Sequence, residues 1–220
     1  MKISLLRILI FILLILPGCI NYEQVTIIKK DGSGEMYVHY WMNWKSEKDS
    51  AAICNAEIFF PDSINAEFSK PYIQIDYISV YKQPSDSSIH AKIEISYEHI
   101  DSLNQTEMFY LSRFTLIKGP DETQVFSQFV PPMMQGFGSD KTPRQLEYVY
   151  YLPGRIVNSN ADEIDKNKLT WKLRSDHLGI GKFLTATYKP FRLKETPAWV
   201  YYSALFVFLI VVYFVFRRDK

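Results

Sequence analysis

Cysteine is almost missing from this chain: of 220 residues only Cys19 and Cys54 are cysteine. Two thiols allow one bridge at most, so the fold is no disulfide-stapled scaffold. An excess of either charge is missing too. The 25 Lys and Arg stand against 24 Asp and Glu, a net charge of +1, which leaves no electrostatic case for nucleic acid. Recognisable chemistry is equally scarce. The four histidines, His39, His90, His99 and His177, include no pair at the helical spacing of a metal site, and no H-E-x-x-H or G-x-S-x-G occurs. "GIGKF" (Gly179–Phe183) has the look of a phosphate loop, but Phe183 stands where Ser or Thr is needed. His90 and His99 fall on or near the polar side of a strand, where solvated surface residues are expected. The acidic pair Asp162/Glu163 falls in a polar turn. No catalytic residue, metal or cofactor is expected.

What cysteine there is follows the first long apolar run. Lys2 and Arg7 form a charged start, Ile8 to Leu16 is unbroken apolar chain, and Pro17-Gly18-Cys19 comes next. That is the layout of a secretory signal, too short to cross a ~30 Å hydrocarbon layer comfortably as a lasting span. Leu16-Pro17-Gly18-Cys19 resembles a bacterial lipobox, with the aliphatic residue at minus three and the small residue at minus one. The resemblance implies acylation of the Cys19 thiol and cleavage just before it. Once Cys19 is acylated, no internal disulfide remains, and Cys54 in "AAICNAEIFF" reads as a small apolar group.

A second apolar run, Ala198 to Phe216, carries no charge and is closed by Arg217-Arg218-Asp219-Lys220. Nineteen helical residues at ~1.5 Å each give about 28 Å, the thickness of the hydrocarbon core. Trp199, Tyr201 and Tyr202 sit where an interfacial aromatic belt belongs, and Arg217 and Arg218 mark the cytoplasmic side. The expected organisation is a signal peptide over 1–18, an extracytoplasmic domain over 19–195, a transmembrane helix over 198–216 and a basic cytoplasmic tail over 217–220. A helical span argues against an outer membrane, whose integral proteins are closed barrels. The expected site is the outer face of the cytoplasmic (inner) membrane, with the membrane itself as first partner.

Between the anchors the patterning is that of strands. Tyr22–Lys30 and Glu35–Trp44 flank "DGSG" and read as a hairpin, with Met36, Val38, Tyr40, Met42 and Trp44 on one face. Ser46 caps an expected helix through "SEKDSAAICNAEIFF", which Pro61 is expected to stop, with another helical turn or two expected in "DSINAEFSK" (Asp62–Lys70). In Ser88–Glu98, Ile89, Ala91, Ile93, Ile95 and Tyr97 alternate with polar residues, the period of a half-buried antiparallel strand. Phe109–Ile117 and Thr123–Val130 read as another pair. Leu169, Trp171 and Leu173, and later Leu184, Ala186 and Tyr188, alternate inward, the second set after a Gly179/Gly181 turn. "PPMMQGFGSDKTPRQ" (131–145) has no period and reads as a long loop. The expected fold is α+β: a mostly antiparallel sheet with one or two helices packed on it.

The stretch "YYLPGRIVNSNADEIDKNKLTWKL...GKFLTATY" resembles the C-terminal half of the LppM-type (DUF3153-like) bacterial lipoprotein domain. Leu152-Pro153-Gly154, Asn160-Ala161, Leu169-Thr170-Trp171 and Ala186 carry that resemblance, and "GCINYEQVTIIKKDGSGEMYVHY" resembles the family's opening. The resemblance implies an envelope protein with an α/β ectodomain, a C-terminal span and a suggested role in binding lipid or glycolipid. It brings no catalytic residue. Tyr148 and Tyr150, with Met133, Met134 and Phe137, are candidates for lining an apolar-ligand cavity; the alternative, and the preferred reading, is ordinary core with an apolar loop. Three roles follow: an envelope scaffold or interaction protein, a carrier of a hydrophobic ligand, and, third, an enzyme of unrecognised type. A closed aromatic cavity would favour the carrier; a solid core would favour the partner.

Overall fold

The computed structural model describes residues 20–132, 144–191 and 198–218, with the side chains at 48, 198 and 211–218 left out. The chain divides into two compact units, 1–190 and 191–220. In the first, β1 (Ile20–Ile28) and β2 (Gly34–Asn43) pair antiparallel as the expected hairpin. Its turn is held locally: the Asp31 carboxylate accepts from the backbone N–H and the hydroxyl of Ser33, and Gly32 takes φ +90. Gly34 is forced by space, since a Cβ there would lie 2.0 Å from the Ile27 carbonyl oxygen and 2.4 Å from the Tyr97 hydroxyl.

Ser46 caps α1 (Glu47–Cys54), its hydroxyl accepting from the Asp49 N–H. The helix is shorter than expected. A 3-10 turn (Glu57–Phe59) follows, and Pro61 opens α2 (Pro61–Phe68) rather than closing α1. Proline's fixed φ and missing N–H suit a first helical turn, which explains the reversal. Strands β3 (Ile73–Gln83) and β4 (Ser88–Tyr97) form a second long hairpin, with a bulge between Ile75 and Tyr77. A 3-10 turn (Ile100–Gln105) leads to a short β5 (Thr115–Lys118), half the length expected, because Phe109 and Phe114 fold inward in non-strand chain. Then come β6 (Gln124–Val130), β7 (Gln145–Tyr151), β8 (Gly154–Ser159), β9 (Glu163–Asp165), β10 (Lys168–Arg174) and β11 (Lys182–Pro190).

These strands make two sheets. Sheet A has the order β3-β4-β2-β1-β7-β10-β9, and sheet B the order β5-β6-β11-β8. Every pairing is antiparallel except β1 with β7. The inner faces of the two sheets meet at Phe126 and Tyr150, whose rings are 4.5 Å apart. On the β2–β3–β4 side, the inner face of sheet A is covered by the helical segments instead: Phe59 packs on Tyr40, and Phe68 on Phe109. The alternation expected in β4 holds for its inward set, and Leu169, Trp171, Leu173, Leu184, Ala186 and Tyr188 are all buried. Each such side chain contributes roughly 1.5–3 kcal/mol on burial.

In the second unit the backbone is helical from Ala198 to Arg218, a 21-residue helix α3. Among the described residues, no helix is long and apolar enough to cross a membrane. Side-chain description of α3 ends at Ile210.

Candidate functional site

Tyr148 and Tyr150 lie on the inward side of β7 and serve the core. The Tyr150 hydroxyl accepts from Gln24 Nε2 at 2.7 Å and donates to Gln128 Oε1 at 2.6 Å, tying β1, β7 and β6 together. Gln24 also accepts from the Tyr22 hydroxyl and donates to Thr26. Burial pushes the Tyr150 and Tyr148 phenols well above their ordinary value, so both stay protonated. Two small pockets, of about 120 and 160 Å³, are lined by neither tyrosine. Typical ligand sites run from ~300 Å³ upward. Met133, Met134 and Phe137, and the lipobox residues Leu16, Pro17, Gly18 and Cys19, lie outside the described residues. Trp199, Tyr201 and Tyr202 are exposed in the first turns of α3, and Arg217 and Arg218 close it.

The constellation that sequence reasoning missed is on the outward face of sheet A. His90, expected in solvent, is only 8% exposed. Strand pairing sets Trp41 opposite His90, His90 opposite Tyr81, and Glu23 opposite His39. The four rings then stack: His39 on Trp41 at 4.7 Å, His39 on His90 at 5.2 Å, and Tyr81 on His90 at 5.0 Å with planes 6° apart. The stack, not a helix or a loop, shuts His90 away from water.

Along the stack runs a line of polar contacts. His39 Nδ1 lies 3.1 Å from Glu23 Oε2, His39 Nε2 lies 2.9 Å from His90 Nδ1, and His90 Nε2 lies 2.7 Å from Ser88 Oγ. The Ser88 hydroxyl donates to Asp86. Lys92 Nζ sits 5.4 Å from the Tyr81 ring centre, beside the stack. Burial lowers the proton affinity of His90, with His39 and Lys92 acting the same way and Asp86 opposing. Ser88 next to an imidazole has the atoms of a nucleophile and its base, but Ser88 is fully buried and its hydroxyl proton is committed to Asp86. Among the described residues, no group of three or more His, Cys, Asp or Glu is placed to hold a metal. The sequence signal for the line was faint: two histidines on strands whose pairing, β2 with β4, is long-range and leaves no local mark.

The turn and packing motifs quoted for the family resemblance join the two sheets. Asn160 Oδ1 accepts from Trp171 Nε1 at 2.9 Å and from the Thr185 N–H at 2.9 Å, while its amide donates to the Phe183 carbonyl at 2.7 Å. Gly154 is pressed against β11, where an added Cβ would lie 2.4 Å from the Lys189 carbonyl oxygen. His99 is half-buried and accepts from the Asp101 N–H at the start of a 3-10 turn. Asp162 accepts from the Lys172 N–H, and Glu163 pairs with the Lys172 side chain on the surface.

No family model matches the chain, and no curated protein does. Among solved structures, the chain is similar to the NMR structure of the folded domain of LppM from Mycobacterium tuberculosis. The two are 14% identical, with a TM-score of 0.48, over 80% of this chain and 92% of that one.

Proposed function

We propose that the chain is a bilayer-tethered envelope protein whose non-catalytic ectodomain acts by contact with partners at the membrane surface. The observation that carries this reading is α3. Between Trp199 and Ile210 nine large apolar side chains are exposed. A helix apolar on every side needs lipid or protein around it. The basic residues that close it and the lipobox-like Leu16-Pro17-Gly18-Cys19 support a tether at both ends, with the folded body outside the cell interior. The filled interior around Tyr150 supports contact over carriage, since an internal lipid would need space that Gln24, Tyr150 and Gln128 occupy.

The test is fractionation of cells expressing the full chain, with protease added to spheroplasts. The expected result is a protein that stays in the membrane pellet after an alkaline wash, with its body cut from outside. A soluble or protease-shielded body overturns the tether. Native mass spectrometry of the detergent-purified chain addresses the rest: a stoichiometric lipid retained inside the folded body would overturn contact in favour of the carrier role.

A further inference from the structure

The outward line on sheet A has a proton count that does not balance. Four links join Glu23, His39, His90, Ser88 and Asp86. With both carboxylates ionised and both imidazoles neutral, only three protons exist for them, one on each ring and one on Ser88. Glu23 can only accept, so it takes the Nδ1 proton of His39 and leaves Nε2 bare. Asp86 takes the hydroxyl proton of Ser88, so Ser88 must accept from His90 Nε2, which leaves His90 Nδ1 bare. Two lone pairs would then face each other at 2.9 Å, a separation that belongs to a hydrogen bond.

We propose that His39 and His90 form one proton-binding site, the proton held between His39 Nε2 and His90 Nδ1. Passing that proton from one ring to the other changes no other contact, so the charge and its titration belong to the pair. Its surroundings come from four strands and a turn. Glu23 on β1 and Asp86 in the β3–β4 turn favour the charge; Lys92 on β4 opposes it. Tyr37 and Trp41 on β2 and Tyr81 on β3 supply ring faces, and Trp41 and Tyr81 stack on the pair in the geometry that attracts a delocalised cation. Burial works against a charged His90. Acid supplies the fourth proton and completes the line. The inference is independent of the membrane reading above.

The test is an NMR pH titration of the full chain in detergent micelles, with 15N-labelled histidine. His39 and His90 are expected to move together, with one shared midpoint and one proton taken up between them. Glu23→Gln should shift the shared midpoint down and Lys92→Met should shift it up, displacements that a merely structural contact would not produce. Two independent midpoints, or a pair that ignores pH, overturns the proposal. So does a pair that ignores pH but responds to zinc or copper(I), which would make it a metal site.

Discussion

Tyr150 and Asn160 each hold positions that a smaller side chain cannot. Tyr150→Phe keeps the ring against Phe126 and Trp171 but removes the hydroxyl shared by Gln24 and Gln128. Leaving the buried Gln128 Oε1 and one Gln24 amide N–H without that partner costs about 1–3 kcal/mol, so urea unfolding should show a lower midpoint with an unchanged slope. Asn160→Ala strands the indole N–H of fully buried Trp171. A loss of similar size, about 1–3 kcal/mol, should follow, with a shift in tryptophan emission. His90 gives a third expectation. Its folded proton affinity is lowered, so the unfolded chain binds the proton more readily. The contribution of His90 to stability is present above 6.5 and is lost as pH falls through the folded value. A stability profile from pH 8 to pH 5 should show this acid-side decline, and His90→Gln should flatten it. At this scale the sequence told little about His90. Alternation correctly put it on the outward side of β4, but outward means wet only where neighbouring strands bring small or charged side chains. Here they bring Trp41 and Tyr81.

Elements were more legible than residues, and for a simple reason. A strand with one buried face writes its period directly into the chain, as Ile89 to Tyr97 does. The β1–β2 turn is also local: Asp31 accepts from Ser33, the Gly32 N–H donates to the Lys29 carbonyl, and the Lys29 N–H donates to the Ser33 carbonyl. Gly34→Ala would drive a methyl group into the Ile27 carbonyl and should break the hairpin register, seen as a lost or much-lowered thermal transition. What local pattern does not carry is distance along the chain. The parallel pairing of β1 with β7 joins Gln24 to Tyr148, and nothing near either residue announces it. Helical turns on the C-terminal side of Pro61 are expected and present; that Pro61 opens that helix instead of closing the one before it is not legible, because a proline marks a helix boundary without saying which side it serves. The brevity of β5 has the same kind of origin, since Phe109 and Phe114 satisfy the core from irregular chain.

For the whole molecule, the α+β class and the antiparallel bias were readable because most strands are solvated on one face. The division into two sheets was not, because inward residues of both sheets look alike in sequence. Nor was the filling of the core: tyrosines can line a cavity or close it, and only the positions of Gln24 and Gln128 decide between these. Two predictions belong to this scale. Cys19→Ser should abolish acyl labelling while the helix beginning at Ala198 still retains the protein in the membrane fraction. Removing residues 199–220 should leave a protein held by acyl chains alone, and its appearance in the soluble fraction would show that Cys19 carries none.

The strand β1 begins at Ile20, one residue past Cys19. With the acyl anchor proposed for that cysteine, there is no leash between lipid and sheet. If that anchor forms, the body would be held close to the lipid, and a flexible insert at this junction would change what the protein can reach without altering a contact inside it.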